Sequence, residues 1–278
     1  MSRPIAEVRS GAGRARDVLG ALTRAAVREE RDFTVTGFLK FVIEPLVFMV
    51  VYFILVTVVL RRGGRDYLLF LLCALLPFRY FSGVISGSLN VIQGNSTILV
   101  NRSFPRSVLP LTVLGSQAPA FLVSLLLLGP LMAYYGVAPT VQIVWLPLVV
   151  VVLAVLTAAG AYVGAVLGLY FPDLKTLVQN LLRAAFFLST GLFRVRTVFA
   201  QGPPSGGSGR TGEGSEQLAN LIRANPLSGL FDAVRAVIIN GRPPKAIDLL
   251  YPLAFGLVVL AVGAAVYRSR ESQFAKEV

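Results

Sequence analysis

Few side chains in this sequence of 278 residues are equipped for chemistry, and those few lie where they are costly to place. The segment "LKTLVQNLLRAAFF" puts Thr176, Asn180 and Arg183 on one helical stripe, with Gln179 beside it, inside an otherwise apolar run. A cation at that depth is expected to face the interior of a helix bundle or a water-filled cavity, because lipid offers it no partner. Arg79, in "LLPFRYFSG", is under the same constraint. Lys40 and Glu44, four apart near the start of the first apolar run, read as a boundary pair whose long side chains reach the headgroups. Much other chemistry is excluded. The sequence has no histidine, which removes Ser-His and Cys-His catalysis and HExxH zinc sites together. Cys73 is alone within an apolar run, so neither a disulfide framework nor a thiolate metal site is expected. No GxxxxGK[ST] occurs, and the glycine-rich "GPPSGGSGRTGEGSE" lacks the lysine and the flanking strand and helix of a phosphate loop.

The elements that must carry these groups are membrane helices. Hydrophobic residues make up 55% of the chain and charged ones only 14%, against about a quarter charged in soluble domains. The apolar runs are about 20 residues or longer, enough to cross a bilayer as helices, and the alternation of a membrane barrel is absent. The expected fold is an all-α membrane protein with six spans, about 38–60, 67–92, 108–135, 141–171, 174–193 and 246–267. These lie in one transmembrane domain, 38–268, between an N-terminal segment, 1–37, and a C-terminal tail, 269–278. Gly160, Gly164 and Gly168 form a ridge at i+4 spacing in the fourth span, which predicts close approach of another helix.

Two further helices are expected outside the spans. Within 1–37, Val18 and Leu22 lie on one face and Arg24, Arg28 and Arg31 on the others, the pattern of a helix in the headgroup region. A solvated tail that only sets orientation is the simpler alternative. Between spans five and six, "NPLSGLFDAVRAVIING" puts Leu227, Phe231, Val234 and Ile238 on one face, with Ser228 as N-cap and Gly241 as stop. It is too short and charged to cross, and should dip into the outer leaflet or cap the bundle. The net charge of +12 records orientation more simply than it does nucleic-acid binding, since no basic stripe interleaves with aromatics. Seven arginines within 1–37 favour both termini inside.

Four segments in order carry a resemblance: "FVIEPLVFMVVYFIL", then "LLPFRYFSGVISGS" with "NSTILVNRSFPRSVLPL", then "LYFPDLKTLVQNLL", then "NPLSGLFDAVR". From about residue 30 to 268 the chain resembles the permease subunit of ABC-2 type exporters for lipid-linked polysaccharides, the O-antigen, capsule and teichoic acid exporters. It departs from the family pattern in keeping only Gly37 of the stretch before span one, in Phe78-Arg79 where a tryptophan is common, and in Pro172 before Asp173. The resemblance implies a homodimer in the bacterial plasma membrane, bound to a separate nucleotide-binding ATPase that uses ATP and Mg. This chain itself would be no enzyme and hold no cofactor or metal. The kinked, basic elbow Asn95–Pro110 would then be the loop that docks on the ATPase. Ile98, Leu99 and Phe104 can plug a groove, Arg102 and Arg106 can pair with acidic rim residues, and Pro105 fixes the bend beside Asn101. An ordinary basic loop anchoring topology is the competing reading.

For the cargo, a polyprenyl-diphosphate-linked glycan, the resemblance makes Arg183, Arg79, Lys40 and Arg31 candidate contacts to the diphosphate. Phe78, Tyr80, Phe81, Phe186 and Phe187 are candidate stacking faces for sugar rings, although membrane aromatics more often pack or line the interface. Gln179 and Asn180 complete the candidate path, and Asn225, Pro226, Phe231 and Arg235 mark the exterior helix. A drug or small-lipid efflux permease is the alternative within the class. An ATPase-independent transporter lacks its usual intramembrane acids here, Glu44 excepted, and a membrane enzyme lacks histidine and paired carboxylates.

Overall fold

The computed structural model describes residues 20, 43, 46–54, 57, 66–94, 106–171, 173–191 and 220–270, and every regular element among them is helical. The N-terminal interface helix, with Val18, Leu22, Arg24, Arg28 and Arg31, and the Lys40–Glu44 pair lie outside the described residues. Of the first expected span, residues 46–53 are helical. Four helices are long and apolar enough to cross a membrane: Tyr67–Ser88, Leu109–Tyr135, Val141–Tyr170 and Ala246–Ser269.

Helix α1, Tyr67–Ser88, is the centre of the bundle. It is apolar all round, and Leu69, Leu71, Cys73 and Ala74 are completely buried, as expected of a helix surrounded on every side. A turn at Leu89–Asn90 separates it from the short α2, Val91–Gly94, where one continuous span to residue 92 was expected. After a 3-10 turn at Arg106–Val108 come α3, Leu109–Leu125, and α4, Leu128–Tyr135, which ends on Gly136 with φ 67°. That left-handed C-cap favours glycine. A 3-10 turn, Val141–Trp145, leads into α5, Leu146–Tyr170.

Helix α6, Leu174–Phe187, is shorter than the expected 174–193. Its 14 residues rise about 21 Å, well under the roughly 30 Å hydrocarbon core. Serine chemistry ends it: the Ser189 hydroxyl donates to the Phe186 carbonyl and accepts from the Gly191 N–H, replacing helical bonds with side-chain ones. Helix α7, Pro226–Ile238, begins three residues before the expected start. Asn225, not Ser228, is its N-cap, accepting from the Leu227 N–H at 3.0 Å, and Pro226 occupies the first turn. Its expected apolar face holds: Leu227, Phe231, Val234 and Ile238 are all 4% exposed or less. That face packs into the bundle against α1 and α5 and against α8, Ala246–Arg270, so α7 is wedged among the spans rather than laid on lipid.

Close glycine contacts join the helices, as the ridge predicted. The Cα of Gly164 faces the Ile85 carbonyl of α1, Gly160 faces the Ile85 side chain, and Gly168 lies against the Leu89 carbonyl. On α8, Gly256 sits on the backbone of Leu156 and Gly263 on Tyr162. Consequently α5 lies between α1 and α8 and packs tightly on both, and α6 stands at the edge of this layer with few contacts.

Candidate functional site

Ile98, Leu99, Asn101, Arg102, Phe104 and Pro105 of the elbow lie outside the described residues, but both of its ends are placed. Before it, Leu89 rests on Gly168, and Val91 and Ile92 join a buried cluster with Leu109, Ala165, Leu169 and Tyr267. After it, Arg106 opens the 3-10 turn, and the carbonyl of Ser107 accepts a 2.8 Å hydrogen bond from the Tyr162 hydroxyl. Tyr162 in turn meets Tyr267 edge to face at 5.6 Å. The two ends therefore grip the same half of α5.

At the opposite end of the bundle is a knot around Arg235, which is 4% exposed. Its guanidinium donates to the carbonyls of Phe70 (3.1 Å), Thr190 (2.6 Å) and Gly191 (2.8 Å), and to Asp232 Oδ1 at 3.2 Å. It also lies 3.5 Å over the Phe70 ring. Around it, Ser228 Oγ accepts from the Thr190 N–H and donates to the Ile222 carbonyl, while the Thr190 hydroxyl donates to the Ser228 carbonyl. Asn225 Nδ2 donates to the Ala185 carbonyl. Partial desolvation pushes the Asp232 carboxyl above its usual value, and Arg235 pulls it back down. The arrangement caps the free end of α6 and fastens it to α7 and α1. Among the expected residues here, the sequence pointed to Asn225, Phe231 and Arg235 but not to Thr190, Ser189 or the Phe70 carbonyl. The available signal was the i, i+4, i+7 stripe Ser228, Asp232, Arg235.

The polar stripe of α6, expected from its composition to face the bundle interior, does not do so within the single chain. Thr176, Asn180 and Arg183 are exposed and Gln179 is half-buried, with Lys175 exposed beside them. Arg183 donates to Asn180 Oδ1 at 3.3 Å. The inward side of α6 is taken by Phe186 instead, which is 1% exposed and packs on Phe78 at 4.5 Å, Tyr52 at 5.8 Å and Phe231 at 6.1 Å. Phe78 and Phe186 therefore present their faces to protein. Tyr80 does likewise, stacked on Phe121 at 4.8 Å with its hydroxyl donating to the Leu114 carbonyl. Phe187 is exposed, next to Tyr52, and Phe81 borders an apolar cavity of about 310 Å³ between α6 and α8. Arg79 is half-buried with its guanidinium 5.2 Å from the Phe48 ring centre. Among the described residues no group of His, Cys, Asp and Glu could hold a metal ion.

No family model matches the chain. Over 95% of its length it is 28% identical to the O-antigen export system permease protein RfbA of Myxococcus xanthus, covering 96% of that protein. It is 24% identical to the RfbA protein of the same description from Klebsiella pneumoniae, over 94% of both chains. The polysialic acid transport protein KpsM of Escherichia coli is 23% identical over 84% of this chain and 86% of its own.

Proposed function

We infer that this chain belongs to the ABC-2 type polysaccharide-export permeases and is the transmembrane half of an ATP-driven exporter in the bacterial plasma membrane. The observation that carries the reading is the likeness to export permeases, which runs nearly end to end in both chains and so spans elbow, stripe and knot alike. ATP and Mg belong to a separate ATPase, and the elbow is the segment that docks on it. The protein crosses the membrane six times with both termini cytoplasmic. The first and fifth crossings supplement the four long apolar helices, the fifth being made by α6, which covers about 21 Å of the core, together with the residues that follow it.

The outward stripe of α6 supports a homodimer. Lys175, Asn180 and Arg183 cannot remain against acyl chains without a large cost, so in the membrane this face is covered. A second copy presenting the same stripe encloses a polar path between the two subunits. The cargo is a polyprenyl-diphosphate-linked glycan, whose diphosphate meets Arg183 along that path, with Arg79, Lys40 and Arg31 as further cationic contacts. Phe187, with an open ring face, is the best-placed of the aromatic candidates for a sugar.

Two measurements test this. Purified in mild detergent from its native membranes, the tagged chain should bring down a stoichiometric P-loop ATPase, and Arg102→Ala with Phe104→Ala should lose it. A chain that purifies alone in several detergents, with nucleotide present, would return the elbow to a topology anchor. Separately, Arg183→Ala should cut export about tenfold, the scale of one charge-assisted hydrogen bond, with assembly unchanged. Normal export by that variant removes Arg183 from the path.

A further inference from the structure

We propose that Tyr162 is a positioning residue whose hydroxyl ties the C-terminal end of the elbow to the α5–α8 pair, making it the first link by which elbow movement reaches the polar stripe of α6. The proposal rests on reading the elbow as the ATPase-docking segment.

One route out of the C-terminal end of the elbow runs through Tyr162, beside the packing of α1 on α5, α6 and α7 that carries on from its N-terminal end. The elbow is held at both ends by α5: by van der Waals contact of Leu89 with Gly168 on one side, and by the Tyr162–Ser107 hydrogen bond on the other. The first contact resists only compression. The second, a directional bond of 2.8 Å, resists separation as well. Tyr162 belongs simultaneously to α5 and to the α5–α8 seam, since Gly263 packs on its Cβ and Tyr267 on its ring. Closely packed interfaces transmit displacement because they have no slack to absorb it. From α8 the path continues to α7, where Gly229 lies against the backbone of Asp248. From α7 it reaches α6 through Asn225–Ala185, Thr190–Ser228 and Arg235. Helix α6 touches α5 itself only sparsely and meets α1 through Phe78 and Phe186. A push on the N-terminal end of the elbow therefore reaches α6 through α1, and one on the C-terminal end, through Tyr162, reaches it by α8 and α7.

Spatial continuity alone is not coupling, so the test must read coupling. In nanodiscs holding the permease with its ATPase, Tyr162→Phe should leave subunit stoichiometry and the KM for ATP unchanged and lower the thermal midpoint by only about 2–4 °C. Glycan exported per ATP hydrolysed should fall about fivefold, the scale of one neutral hydrogen bond. A merely structural hydroxyl would lower the midpoint likewise and spare the ratio. In a Ser107→Cys, Tyr162→Cys variant the ratio should also fall, then recover when the two thiols are bridged by a short bifunctional reagent. Cys73, the native cysteine, is fully buried and does not compete for it. An unchanged export-to-ATP ratio in Tyr162→Phe, or no recovery on bridging, overturns the proposal while leaving the exporter reading intact. If the wild-type chain binds no ATPase, the elbow reading fails and the tether falls with it.

Discussion

Arg235→Ala should lower the stability of the detergent-solubilised protein by about 3–5 kcal/mol, the range for breaking a buried charged network. The thermal midpoint should drop by on the order of 10 °C. Removing this guanidinium orphans the carbonyls of Thr190 and Gly191 at once, in apolar surroundings where an unsatisfied acceptor costs about 1–3 kcal/mol, and takes the second donor from the Phe70 carbonyl, which lies within helix α1. It also vacates the face of the Phe70 ring. Arg235→Lys should recover little, because an ammonium cannot span three acceptors on different segments as the planar fork does. Asp232→Asn separates the ion pair from the carbonyl bonds. Asp232 is half exposed, so its pairing is worth under about 1 kcal/mol once solvent screening is allowed for. Thermal unfolding of the three variants side by side checks this. Asp232→Asn as damaging as Arg235→Ala would mean that the ion pair, and not the capping of α6, holds the knot together.

That knot also shows where sequence reading stops. Periodicity placed Leu227, Phe231, Val234 and Ile238 on one face of α7, and burial of all four follows from apolar spacing alone. Arg235 was visible as an odd charge in that helix, but its partners are backbone carbonyls 165, 45 and 44 positions away, and every residue has a carbonyl. Only the tertiary fold decides which ones come within reach of the guanidinium. The length of α6 failed for a related reason. Ser189 and Thr190 continue an apolar run in composition, and the helix stops there because the Ser189 hydroxyl takes over the hydrogen bonding locally while Thr190 bonds to Ser228 of α7, a distant part of the chain.

The stripe of α6 was legible as a stripe, since Thr176, Asn180 and Arg183 follow helical spacing whatever surrounds them. Its direction was not, because the sequence of one chain cannot say whether a polar face is enclosed by that chain's own helices or by a second copy. The buried rings of Phe186 and Phe78 belong to the same lesson. Aromatic side chains in a span look alike on paper, and it is the 4.5 Å stacking between them that assigns these two to packing. The elbow and the glycine ridge were each legible in isolation, and the contact that joins them was not.

That contact sets the second large effect. Gly168→Ala should cost about 3 kcal/mol, the upper part of the usual range for overpacking. The new methyl would lie inside the van der Waals envelope of the Leu89 carbonyl and its neighbouring backbone atoms, none of which can rotate away. Gly164→Ala should be milder, since its methyl would stand 3.1 Å from the Ile85 carbonyl and 3.5 Å from Ser88 Cβ. At Gly160 the methyl would stand 2.6 Å from Ile85 Cδ1 and 2.8 Å from its Cγ1, and Cγ1 moves only with a χ1 that the helix restricts. Gly160→Ala should therefore cost about 1–2 kcal/mol, more than Gly164→Ala and less than Gly168→Ala. The order 168, 160, 164 therefore measures how little room each glycine leaves between α5 and α1. Thermal midpoints and membrane yields of the three variants read it, and equal effects at 168 and 160 would show that the two backbones do not meet at Leu89. Because Leu89 is followed directly by α2 and the elbow, displacing it should also misplace the segment we propose to dock on the ATPase. Gly168→Ala protein that still reaches the membrane should accordingly retain less of its ATPase on purification than Gly160→Ala does, a difference that loss of stability spread evenly over the bundle would not produce.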